Sequence, residues 1–445
     1  MSKRRITVTA TAASLLAAGA LVGSAISPAH ADIAPQKNDV VGVGSDVVQN
    51  AIDFLADGYT GADGTYVAGY NETKAAKKWR LFNFDASGDA AGTSTTNATA
   101  VLQAGGNPYN RPNGGGSGLN ALIADGSNGT DAGRIDFARN PSEPTAAQEA
   151  TAVANLGSKI KGLDWVTIAT DTDYIATTKE THAPSFLTPA EVFAIYHGDV
   201  KTWSELASYR TTSETGLPAY APDASWSSNK IIPFYPQNGA GMQTQFFNGL
   251  KSAHGGTAPA VADVPNGIQV KQNDPTTLID PSKLGSVSWN GSTVTFKASD
   301  KDDVIVPLPQ SKYNLFSDGY FLDGSKTYSA ADGSQSPVSV ADVQLLKGTG
   351  AFQQVINFNI IFRDSDLTSK TAWQPGSKLN WVQTLFYSTN PYASPDYKPT
   401  KKQAKKHPKV ATPFAFTPAY QKLLTQIGLT PVPYAQAFHL YSTAK

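Results

Sequence analysis

Three times along this chain glycine and small polar residues stand immediately before a helix-patterned stretch. The three junctions fall at residues 42–46, 114–118 and 238–243. A strand that ends in a glycine loop and feeds a helix is the unit of an α/β fold, and its repetition sets the architecture. Helix starts expose unpaired N–H groups, and glycine lets a ligand approach the backbone closely. Each junction therefore reads as an ordinary helix cap or as part of an oxygen-binding loop.

The remaining pattern agrees with that rhythm. Val40–Val43 reads as a strand, and Asp46–Ala56 carries apolar residues at 47, 48, 51, 52 and 55, which is helical spacing. Ser45 or Asp46 is placed to cap that helix. Trp79–Phe84, Ile135–Ala138, Leu163–Ala169, Asp173–Thr177 and Ile231–Tyr235 read as strands. Thr188 and Glu191 form a capping box before a helix that runs to Tyr196, and Trp203–Leu206 reads as a turn. Pro395–Lys409 reads as a loop carrying lysines 398, 401, 402, 405, 406 and 409, and Thr417–Ile427 reads as a closing helix.

Composition narrows the function classes. Lys plus Arg and Asp plus Glu both total 36, so no net field steers nucleic acid to the chain. There is no cysteine, which excludes disulfides, thiolate metal sites, cysteine nucleophiles and a lipid-modified N-terminal cysteine. The chain is long enough for more than one hydrophobic core. Residues 1–31 have the form of a secretory signal peptide. Lys3, Arg4 and Arg5 precede an uncharged apolar run, and Ala29-His30-Ala31 supplies the small-residue cleavage pattern. The expected product is secreted, or held at the cell wall.

Catalytic signatures are not in evidence. His182, His197, His254, His407 and His439 stand singly, without the spacing of a zinc site, and no Gly-x-Ser-x-Gly elbow occurs. Asp171 and Asp173 form a close carboxylate pair whose orientation the sequence leaves open. The run Ser299–Asp303 reads as a solvated turn. The expectation is a protein that is not an enzyme and has neither cofactor nor metal.

The order of the loops carries a resemblance. Gly42-Val43-Gly44-Ser45, then Gly114-Gly115-Gly116-Ser117-Gly118, then Ile135-Asp136-Phe137-Ala138-Arg139-Asn140 resemble the opening signatures of the periplasmic phosphate-binding proteins, the receptors of ABC phosphate importers. Leu187–Gly198 with Lys201-Thr202-Trp203, Asn238–Met242 and Gly428–Pro433 continue the series in the same order. The match is good over residues 40–250 and at the end, and thin over 255–410. It implies an α/β, two-lobed Venus-flytrap fold of the periplasmic-binding-protein type, with mixed sheets flanked by helices. Residues 32–170 would begin lobe 1, 171–340 would form lobe 2, and 341–445 would return to lobe 1.

By that resemblance Ser45, Asp46, Gly116, Ser117, Asp136, Arg139, Asn238, Gly239, Ala240 and Gly241 would line an interlobe site for phosphate or a related small oxyanion. The partners implied are that anion and an ABC transporter permease, with the receptor a monomer that binds no nucleic acid. Asp136 either accepts the remaining proton of a protonated oxyanion or caps a strand end. Arg139 either grips the anion bidentately or forms a surface ion pair. The sequence also departs from the family. Ala240 and Met242 replace a hydroxyl pair, Asn238 replaces an aspartate, Pro236 replaces an arginine, and Asp46 stands where a hydroxyl is expected. A secreted surface-interaction protein on the same scaffold is the alternative reading.

Overall fold

The computed structural model describes residues 34–61, 63–84, 86, 99–112, 114–125, 134–156, 162–214, 216–238, 240–270, 276–317, 342–368, 381–406 and 409–440. The signal-peptide reading of residues 1–31 and the loop residue Gly239 lie outside them.

In chain order the framework is β1 (Val40–Gly44), α1 (Asp46–Asp57), β2 (Leu81–Asn83), α2 (Gly115–Asp125), β3 (Phe137–Asn140), β4 (Leu163–Thr178), α3 (Pro189–His197) and α4 (Trp203–Ser213). It continues with β5 (Ile232–Pro236), α5 (Gly241–Gly249), β6 (Ile268–Val270), β7 (Val304–Pro309), α6 (Gln310–Ser317), β8 (Gln353–Arg363) and α7 (Pro418–Gln426). These strands form one mixed sheet in the order β6-β5-β7-β4-β8-β3-β1-β2. β1 runs parallel to β2 and β3 on one wing, and β5 runs parallel to β6 and β7 on the other. The result is a two-lobed α/β fold with a mixed sheet flanked by helices.

β4 and β8 join the wings. β4 is 16 residues long, about 53 Å at strand rise, and it pairs antiparallel with β8 from Leu163 to Tyr174. A register shift at Phe358/Asn359 bends the pair near its middle. One core gathers Val47, Ile52 and Leu55 of α1 with Ile356 and Ile360 of β8 and Leu423 of α7. Another gathers Val192 and Ile195 of α3 with Trp203, Leu206, Phe246 and Phe247. The late segments Thr430–Pro431 and Phe438–Leu440 pair with the first half of β4.

Local expectations meet mixed outcomes. Thr188 accepts from the Glu191 N–H while the Glu191 carboxylate accepts from the Thr188 N–H, so the capping box forms as read. Trp203–Leu206 is not a turn but the first part of α4, started by a second capping box from Thr202 and Glu205. The polar Asp171-Thr172-Asp173 stretch does not interrupt the strand, because β8 pairs with all three residues and β7 joins on the other side from Asp173 onward. Residues 401–406 are helical rather than loop. The end of the Ser299–Asp303 run is not solvated. Asp303 is buried and accepts from Trp203 Nε1 at 2.6 Å and Asn229 Nδ2 at 3.0 Å, beside His182 Nδ1 at 2.6 Å.

Candidate functional site

Two of the glycine junctions follow parallel strands, β1 and β5, whose directions point them at one another, and the third, residues 114–118, packs against the end of β1 and the residues that close β3. β1 and β3 end toward the join from one lobe, and β5 ends toward it from the other. Gly44, at φ 117°, lies so close to α2 that a β-carbon on Gly118 would meet the Gly44 Cα at 2.4 Å. A β-carbon on Gly115 would strike Asn140 Oδ1 at 2.4 Å and Pro141 Cδ at 2.7 Å. One on Gly241 would lie 3.0 Å from Pro141 Cγ and 3.9 Å from the Gly115 nitrogen. Contact this tight, with backbone at Gly118 and with side chains at Gly115 and Gly241, accounts for those three glycines and brings the first turns of α1, α2 and α5 together.

Ser45 is the N-cap of α1, yet its side chain makes no capping bond. Its Oγ is buried and has no hydrogen-bond partner among the described residues. Asn359 adds a second such group. Its Oδ1 accepts from Thr167 Oγ1 at 2.7 Å, while its Nδ2 is buried and unpartnered. Asn359 stands opposite Asn140 in the β8–β3 ladder, so the two side chains share a face beside the loops.

The other residues named from the sequence are distributed unevenly. Asp46 opens α1. Gly116 and Ser117 are exposed on the first turn of α2, and Ala240 is the buried N-cap of α5. Asn238 is exposed, and its Oδ1 accepts from Gln243 Nε2 at 3.0 Å and Gln269 Nε2 at 3.1 Å. Arg139 is fully buried. Its Nε donates to the Ser45 carbonyl at 3.0 Å, and its terminal nitrogens donate to the Gly44 and Phe84 carbonyls and to Asn83 Oδ1. The guanidinium therefore pins the strand ends beneath the loops and is not a surface ion pair. Asp136 is not brought to the loops. It precedes β3, about 13 Å of strand from Asn140, and its Oδ2 accepts from the Val41 N–H at 2.8 Å.

Sequence reading passed over Asn140, Pro141, Ser142 and Gln245. Asn140 Oδ1 accepts from the Ser142 N–H at 3.1 Å, an Asx turn that carries the chain past Gly115. Gln245 Nε2 reaches from α5 to Ser142 Oγ at 2.9 Å and the Pro141 carbonyl at 3.3 Å. Met242, one turn earlier, is buried in the first lobe's core, while Phe246 and Phe247 pack in the second. Helix α5 therefore latches the lobes together. Arg111 was also missed. It is buried shortly before α2, with its guanidinium 5.5 Å from the Phe84 ring centre.

No family model matches the chain, and no curated protein matches it. Solved structures do. A crystal structure of an ABC-type phosphate transport receptor from Vibrio cholerae is similar at 14% identity, over 88% of this chain and 100% of that one, with a TM-score of 0.40. A putative phosphate ABC transporter substrate-binding protein with bound phosphate from Clostridium perfringens is similar at 11% identity, over 88% and 99%, with a TM-score of 0.42. A DING protein is similar at 13% identity, over 89% and 92%, with a TM-score of 0.40. The two-lobed α/β architecture is consistent with the type II periplasmic-binding fold. Among the described residues no group of three or more His, Cys, Asp or Glu is placed to hold a metal ion, and no helix is long and apolar enough to cross a membrane.

Proposed function

We propose that this chain is an exported, non-catalytic solute-binding protein that captures phosphate or a related small oxyanion where α1, α2 and α5 begin, in the manner of an ABC importer's receptor. The observation that carries the reading is the meeting of helix starts from opposite lobes, together with an N-cap serine on α1 whose buried Oγ has no partner among the described residues. Helix N-termini carry a partial positive charge and unpaired N–H donors, which favour an anion without a bound metal. Asn359 Nδ2 offers a further neutral donor on the Asn140 face. Arg139 and Arg111 add positive charge beneath and beside the loops, and Asp46 opposes it. Hydrogen-bond donors at fixed positions, more than net charge, would select the anion.

Calorimetric titration of the purified mature protein with phosphate, and separately with sulfate, tests this. Heat and a raised melting temperature with phosphate are expected, because a ligand that binds only the folded state must stabilise it. Neither effect at millimolar phosphate sinks the assignment.

A surface-interaction protein on this scaffold is the second reading. Its support is the helix Lys401–Lys406, which is exposed along its whole length and presents four lysines to solvent. Binding to cell-wall fractions that fades at high salt, with no response to phosphate, would favour it.

A further inference from the structure

A separate cavity of about 360 Å³ opens beside the far end of α1, between Tyr70, the Gln383–Asn390 stretch and the Val410–Phe414 segment. Gly69 packs against the C-cap Gly58 of α1, and the helix's 12 residues put about 18 Å between that end and Ser45. The lining holds no charged side chain. Tyr70 and Phe414 meet edge to face at 5.9 Å, and Trp79 stacks on Tyr70 from behind at 4.7 Å, so the aromatic wall is braced. Ser388, Asn390 and Thr412 contribute hydroxyl and carboxamide groups. Two residues of this lining carry a buried polar atom without a hydrogen-bond partner among the described residues: Tyr70 Oη, on a side chain 1% exposed, and Gln383 Nε2. Burial holds the Tyr70 hydroxyl in its neutral form, so it remains available as a donor.

We infer that this cavity is a second binding site, for a neutral polyhydroxylated ring of the sugar class. An ion would find no opposite charge there. A purely apolar ligand would leave Tyr70 Oη and Gln383 Nε2 unpaired, whereas a sugar presents C–H faces to aromatic rings and hydroxyls to amides at the same time. The volume accommodates one ring with its substituents or accompanying water. The site stands apart from the glycine loops, so its occupation does not depend on an anion being bound.

Saturation-transfer NMR on the mature protein, with glucose and N-acetylglucosamine as probes and cyclohexanol as the apolar control, decides the matter. Transfer to at least one sugar is expected, unchanged by excess inorganic phosphate and lost in Thr412→Trp, which fills the cavity. Tyr70→Phe keeps the ring and its stacking while removing the hydroxyl. It should weaken the sugar about tenfold, the factor for one hydrogen bond. Thermal denaturation checks that both variants fold, and Tyr70→Phe carries the test if Thr412→Trp does not. No transfer to either sugar overturns the inference. So does stronger transfer to cyclohexanol, an affinity unchanged in Tyr70→Phe, or displacement of the sugar by phosphate, which would place it at the loops instead.

Discussion

Gln245 on α5 donates to the Ser142 hydroxyl at 2.9 Å, and this bond ties a helix of one lobe to the strand end of the other. The same amide reaches the Pro141 carbonyl, and Met242 is buried in the neighbouring core. Gln245→Leu removes both bonds and should favour the open arrangement of the lobes by about 1–2 kcal/mol. Small-angle scattering reads this as a larger radius of gyration. An unchanged radius would mean that Met242 packing alone keeps the lobes shut.

Ser45→Ala separates ligand from scaffold. The hydroxyl makes no bond among the described residues, so its removal should shift stability by less than about 0.5 kcal/mol. Phosphate affinity should fall about tenfold if the hydroxyl faces the anion. Calorimetry and a melting curve on the same sample give both numbers, and a loss of stability with unchanged affinity contradicts the placement.

Arg139 is bonded to four protein oxygens, so its first duty is structural. Arg139→Met leaves three carbonyls and the Asn83 carboxamide oxygen without that donor in a dry environment. The expected loss is about 3 kcal/mol or more, measured by urea unfolding, and it should appear with or without phosphate.

Asp136→Asn tests how far the loops extend. Its carboxylate accepts from Val41 at the far end of β3, so the variant should lose about 1 kcal/mol of stability while phosphate-over-sulfate preference stays as it was. A selectivity that relaxes toward sulfate would instead put the carboxylate at the anion.

The Asp171–Asp173 pair makes a pH prediction. Burial raises the Asp171 carboxyl to about 6, against bonds from Ser311 and Thr172 that lower it. Burial, and then the Asp171 charge, hold Asp173 well above the usual carboxylate range, and neither Asp173 oxygen has a hydrogen-bond partner. Both acids keep protons in the folded state that the unfolded chain has released. Their stabilising contribution is therefore complete below about pH 4, declines as pH rises through 6, and continues to decline beyond that for Asp173. Asp173→Asn should flatten the slope of unfolding free energy against pH and raise stability at neutral pH. Parallel wild-type and variant curves would refute this.

Helix starts in both lobes could be read directly. The apolar spacing of α1 and the Thr188–Glu191 box are local signals, and local structure obeyed them. The second box, Thr202 with Glu205, was equally visible, but the polar run behind it hid a helix held by Trp203 and Leu206. β4 looked broken at residues 170–172 because polar side chains there, among them the buried Asp171 carboxyl, defeat the apolar pattern. The loops were legible as glycine before helix. Which side chains reach them was not, because register decides that Asn140 and Asn359 face each other while Asp136 lies a strand's length away.

The central ladder also dictates when this protein can become itself. Thr167 on β4 waits for Asn359 on β8, 192 residues later, and the last segments of the described chain still add to the core that α1 began. A chain emerging from its N-terminus cannot close its first lobe until nearly all of it is available, since distant pairings must be bridged before they reward the entropy lost. Late closure of this kind keeps the polypeptide threadable. Under the export proposed above, that delay would let passage through a narrow channel come before folding.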